Sequence, residues 1–179
     1  MTYSVINDSK FGPICVSMIC KNGTQTLADY TSNPRLKNED SMHYDVRVGI
    51  IQHPRIRFNA GWSFYNRLLS EKSNNNDVPP EKLNSYEEYV DYTLEVDDIH
   101  WMPQKPTLMI GDFLTATHVI RFEDLAGWWP QLCKRELVHI NWAPNIPTSY
   151  YRTKELDEVY GDDYALWADA IGYYPGKRL

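Results

Sequence analysis

The sequence predicts an α/β fold in three layers, a central parallel β-sheet flanked by helices. Two observations carry this. Short runs rich in valine and isoleucine alternate along the chain with stretches of helical apolar spacing, the pattern of successive strand–helix units. The first such run, Ile14 to Cys20, is apolar on both side-chain phases apart from Ser17, as in a strand covered on both faces. With 179 residues, 42% of them hydrophobic, and no internal repeat or linker, the chain reads as one domain spanning 1–179.

Residues 1–12 read as a polar lead-in to this strand. A short helix is expected over Gln25 to Tyr30, stopped before Pro34, because the residue preceding a proline avoids helical geometry. Pro34 to Met42 reads as a charged loop. Tyr44 to Gln52 is a second strand, and His53-Pro54 opens a helix over Arg55 to Ser70, proline suiting the first turn. Phe58, Trp62, Tyr65 and Leu69 share one face of that helix; Ile56, Ala60, Phe64 and Leu68 share another, so it is expected to be well buried. Ser73 to Pro80 is an exposed loop. Ser85 with Glu88 forms a capping box for a helix reaching Glu95. Thr107 to Ile110 and Thr117 to Phe122 are strand candidates, followed by a helix over Glu123 to Lys134 interrupted by Gly127 and Pro130. Val138 to Trp142 reads as a strand and Ala143 to Pro147 as a loop. Thr153 is placed as an N-cap, and Asp162 to Ala170 closes the chain helically.

A net charge of −6 and no lysine/arginine cluster argue against nucleic-acid binding. Cys15, Cys20 and Cys133 fit neither a disulfide framework nor metal-ligand spacing, and the five histidines are scattered, so no metal site is expected. No apolar segment has the length of a signal peptide core or a membrane span. The expected location is a reducing one, cytoplasmic or inside a virion. Thirteen tyrosines and six tryptophans serve packing first; their faces would also accept a sugar.

The chemistry concentrates after the first strand. Lys21, Asn22, Gly23, Thr24, Gln25 and Thr26 lead from strand to helix. Backbone N–H groups, a helix N-terminus and a lysine would together cradle an anion. The same residues also read as a polar turn after a buried strand, and the Walker A pattern is absent. Gln52-His53-Pro54 forms a second strand end feeding a helix. Ligands of parallel α/β sheets bind at such ends.

Four stretches resemble motifs of the sulfotransferase superfamily, in its carbohydrate-sulfotransferase-like branch. Lys21 to Leu27 resembles the 5′-phosphosulfate loop. Gln52-His53-Pro54-Arg55-Ile56-Arg57-Phe58-Asn59-Ala60-Gly61-Trp62 resembles the 3′-phosphate motif. His100-Trp101-Met102-Pro103-Gln104 resembles the family's H-W-x-P-Q, and Val119 to Leu125 the later strand ending in F-E-D-L. Asn141 and Tyr160-Gly161-Asp162-Asp163-Tyr164 follow the family's closing run. The resemblance covers about residues 14 to 174. It implies a P-loop-like fold and the donor 3′-phosphoadenosine 5′-phosphosulfate, with a hydroxyl acceptor such as that of a carbohydrate.

Two positions depart from the pattern. The family's 3′-phosphate arginine is Gln52 and its serine is Ala60. Exchanging a charged fork for a neutral amide forfeits about 1.5–3 kcal/mol. Ser63, one turn beyond Ala60, and Arg55 and Arg57 are placed to compensate, Arg57 matching the motif's second arginine. For the enzyme, Lys21 would stabilise the transferring group and His100 would be the first choice of base, with His53 and Glu123 behind it. His100 also reads as a histidine satisfied by backbone contacts. The acidic pairs Glu39-Asp40, Asp97-Asp98 and Asp162-Asp163 read as solvated or capping residues. The alternative to an enzyme is a non-catalytic protein of the same fold, a binding or structural module such as a phage particle component, which would assemble with other proteins.

Overall fold

The structure, a computed structural model, describes residues 2–19, 27–70, 83–98, 100–137 and 149–170. It is a mixed α/β arrangement built on a five-stranded sheet: β1 (Thr2–Ile6), β2 (Ile14–Ser17), β3 (Ser32–Lys37), β4 (Arg47–Ile51) and β7 (His118–Arg121), in the order β3-β1-β2-β4-β7. A two-stranded ribbon, β5 (Met109–Ile110) and β6 (Phe113–Leu114), turns through Gly111 at a φ of +55°, a conformation glycine adopts without strain.

The expectation of a uniformly parallel sheet is corrected. β2, β4 and β7 are parallel, with Val48 opposite both Val16 and His118, but β1 runs antiparallel to both β2 and β3. The supposed lead-in is therefore β1, whose Tyr3, Val5 and Ile6 are buried. The supposed loop at Pro34 is the edge strand β3. Its pairing with β1 slips between Tyr3 and Val5, and a proline is tolerated at such an irregular edge because fewer ladder bonds are required there.

Both faces of the sheet are covered. On one, Ile14, Val16, Val48, Ile50 and Ile120 pack with Trp128, Trp129 and Leu132 of the helix α4 (Leu125–Leu132), which runs through Gly127 and Pro130. On the other, Cys15, Ile19 and Ile51 meet Leu108 and Ala170, with Leu166 and Trp167 of α6 (Gly161–Asp169) against them. The short helix α1 (Asn38–Ser41) follows β3. The long helix α2 (Pro54–Ser70) forms a third cluster with α3 (Tyr86–Glu95) and α5 (Thr153–Val159), centred on Phe58, Tyr65, Tyr86, Tyr89, Trp101 and Tyr160. Only one of its two apolar faces is deeply buried; Ile56, Ala60 and Phe64 are half-buried.

Local signals explain several boundaries. Ser85 Oγ accepts from Glu88 N at 3.1 Å, as a capping box requires, while Glu88 Oε2 reaches Asn84 N rather than the cap residue. Thr153 is not the cap of α5: its hydroxyl donates to Tyr150 O, and Arg152 caps the helix at a φ of 44°. Thr107 and Leu108 belong to a 3-10 turn (Lys105–Leu108) in place of the expected strand. The expected strand at Val138 to Trp142 and loop at Ala143 to Pro147 lie outside the described residues.

Candidate functional site

The parallel strands β2, β4 and β7 place their carboxyl ends side by side, with β4 in the middle. Gln52 follows β4 directly and is 3% exposed. Gln104 grips its backbone from both sides: Gln52 N donates to Gln104 Oε1 at 2.9 Å, and Gln104 Nε2 donates to Gln52 O at 2.8 Å. The amides of Gln104 and Lys105 donate in turn to Asp163 Oδ2 and Oδ1, at 2.6 and 2.7 Å. Arg57 Nη1 donates to Met102 O at 2.8 Å, and the Tyr160 hydroxyl donates to Trp101 O. The turn 100–104 is thus fastened to the end of β4 through the Gln104 side chain, and to α2, Tyr160 and α6 through its own backbone.

Asp163 is 1% exposed, so of the two roles expected of an acidic pair it is not solvated but capping, its carboxylate taking the amides at the start of the 3-10 turn Lys105–Leu108. Burial pushes its carboxyl up; the amides of Gln104 and Lys105 and the Arg57 charge oppose that shift without cancelling it. The end of β7 is tied in as well. Glu123 Oε1 accepts from His53 N at 2.9 Å and Oε2 accepts from Trp167 Nε1 at 3.3 Å. The His53 ring sits edge-on between Tyr164 and Trp167, and burial holds its pKa below the ordinary value.

The residues singled out from the sequence fall in three places. Lys21, Asn22, Gly23, Thr24, Gln25 and Thr26 lie outside the described residues. Gln52 and Arg57 are brought together at the carboxyl end of β4, where both are buried within the clamp just described. Ser63 spends its hydroxyl on Asn59 O, one turn back at 3.2 Å. His100 stands apart from these. Its ring stacks on Phe64 at 5.2 Å, and its carbonyl lies 3.6 Å from where a Cβ on Gly61 would sit. Those residues are seven and ten positions past Pro54, about 10–15 Å along the helix axis. Asp98 Oδ1 accepts from both His100 N (2.8 Å) and Nδ1 (2.6 Å), which puts the ring hydrogen on Nδ1.

Gln104, Asp163 and Glu123 carry most of this site; Glu123 is among the candidate bases named from the sequence, whereas only membership in recognised stretches hinted at Gln104 and Asp163. A second group went unnoticed. Arg55 Nη1, Asn59 Nδ2, Gln52 Oε1 and His53 Nδ1 are all buried without a hydrogen-bond partner, within eight consecutive residues. Among the described residues, no group of three histidine, cysteine or acidic side chains is placed to hold a metal, and no helix is long and apolar enough to cross a membrane. Compared with known proteins, the chain matches no family model, no curated protein and no solved structure.

Proposed function

We propose that the chain is a P-loop-like sulfotransferase that moves a sulfuryl group from 3′-phosphoadenosine 5′-phosphosulfate to a hydroxyl, with Lys21 at the transferring group. One observation carries the reading. Stretches resembling the family's motifs, 52 to 70 residues apart, bond directly to one another at one end of the sheet: Gln52 with Gln104, His53 with Glu123, Gln104 with Asp163. A chance resemblance gives no reason for such convergence. Where a base is needed, His100 offers Nε2, with Asp98 fixing the other nitrogen.

A specific observation favours the second reading, a non-catalytic binding or structural protein of this fold. Gln52 and Arg57, which would hold the 3′-phosphate, are 3% and 1% exposed, and Arg57 is engaged with the carbonyl of Met102. A thermal-shift titration with 3′-phosphoadenosine 5′-phosphate separates the two. Under the enzyme reading, ligand at about a hundred times its dissociation constant stabilises the fold by about 2.7 kcal/mol, and Lys21→Ala removes the effect. No shift at millimolar ligand overturns it.

A further inference from the structure

The first turn of α2 carries two guanidinium groups, Arg55 and Arg57, and no acidic residue. Cations at the positive end of a 17-residue helix are unfavourably placed unless an anion accompanies them. Arg57 has the Asp163 charge. The Arg55 guanidinium acts on the hydroxyls of Tyr86 and Tyr164, opposing the rise that burial gives their pKa values, and no carboxylate among the described residues forms an ion pair with it. The two tyrosines pass their own hydrogens onward, Tyr86 to Asn59 Oδ1 at 2.8 Å and Tyr164 to Asp157 Oδ1 at 3.1 Å. This chain fixes the orientation of the Asn59 amide: its oxygen is used, and Nδ2 is left over.

Asn59 is 1% exposed, and its Nδ2 and Arg55 Nη1 are both buried and unpartnered. The two residues are four apart and lie one above the other on the helix. An unsatisfied buried donor costs about 1–3 kcal/mol, and native structures hold few. Two nitrogens that only donate, one of them charged, call for an acceptor of negative charge. Arg55 is half-buried, so the pair borders the surface.

We propose that Arg55 and Asn59 bind a small oxyanion, the sulfate, phosphate or carboxylate group of a ligand. The site shares Arg55 with the 3′-phosphate site of the sulfotransferase reading and differs from it in Asn59, which lies about 100° around the helix from Ala60, where that family has its phosphate-binding serine.

Sodium sulfate, phosphate and acetate are titrated at constant ionic strength while the backbone amide signals of residues 55–63, present in every variant, are followed by NMR, with chloride as reference. At least one oxyanion should saturate at low millimolar concentration and chloride should not; the one that does names the group. Arg55→Gln should weaken binding at least tenfold. Asn59→Asp keeps the oxygen that Tyr86 needs and gives Arg55 a carboxylate, so it should abolish the response while unfolding cooperatively at or above the wild-type midpoint. Absence of saturation with all three anions, or an unchanged response in Asn59→Asp, overturns the proposal. Saturation by an oxyanion without any response to 3′-phosphoadenosine 5′-phosphate would leave this site standing and remove the donor reading alone.

Discussion

Arg55 and Arg57 stand two residues apart in one helical turn, yet they belong to different regions. Arg57 faces inward, 1% exposed, to a carbonyl and a buried carboxylate. Arg55 faces two tyrosine oxygens and keeps one nitrogen buried and idle. A buried charge with its acceptors holds structure together, whereas one without them is cheap to lose. The comparison breaks most sharply on stability. Arg57→Met, near in length, leaves Asp163 uncompensated and should cost about 3–5 kcal/mol in urea unfolding. Arg55→Gln should change stability by no more than about 1 kcal/mol, because lost tyrosine interactions are offset by removal of a cation at the helix N-terminus. Equal losses in the two variants would erase the distinction.

Gln104→Ala probes the inward region from the other side. It strands both backbone groups of Gln52 in a site that water does not reach, at about 2–4 kcal/mol for two unsatisfied groups. A loss below about 1 kcal/mol would mean that the clamp is incidental to the fold.

How these regions could be read from sequence differs for a physical reason. Parallel strands betray themselves through composition, so β4 and β7 were legible to within a few residues. β1 was not: its threonine, tyrosine and serine look polar in sequence, although Tyr3 is fully buried, with its hydroxyl on Thr115 at 2.9 Å. β3 hid behind Pro34, since an edge strand bears a proline that a central one cannot. In the candidate site, the motif stretches were legible and the bonds between them were not. Gln52 was read as a ligand for phosphate; the bonds that Gln104 makes to its backbone had no signal in the sequence. Asp163 was read as solvated or capping without its partners, because the amides of Gln104 and Lys105 are some sixty residues away in sequence. The idle donors of Arg55 and Asn59 are properties of packing and leave no trace in a motif.

Gly61→Ala tests how tightly the inward face of α2 is packed. An added Cβ would overlap the hydroxyl of Tyr89, which is fully buried and donates to Phe58 O at 3.1 Å. Overpacking of this kind costs about 1–3 kcal/mol, against roughly 1 kcal/mol gained from alanine's helix propensity. A net loss of up to about 2 kcal/mol is expected by chemical denaturation. A stabilised variant would show that Tyr89 yields easily and that the inward face is less rigid than its burial suggests.

The smallest effect lies at the seam between the regions, at His53, and it appears as a pH dependence. Burial holds the folded-state pKa of His53 below 6.5, outweighing the pull of Glu123 and Asp157 in the other direction. The contribution of such a group is fully present above the unfolded pKa. As pH falls below about 6.5, unfolded chains take the proton first, and stability drains away until the lower folded value is reached. His118, depressed by burial and by Arg47, acts in the same sense. Asp163 acts in the opposite sense, since its raised pKa favours the folded state as its carboxyl protonates. Unfolding free energy should therefore decline on going from pH 7 to pH 5, and His53→Asn, which can still cap α2, should flatten part of that decline. If the two pH profiles run parallel, the His53 ring is protonated as readily in the folded chain as in the unfolded one, and the packing of Tyr164 and Trp167 against it does not exclude the charge.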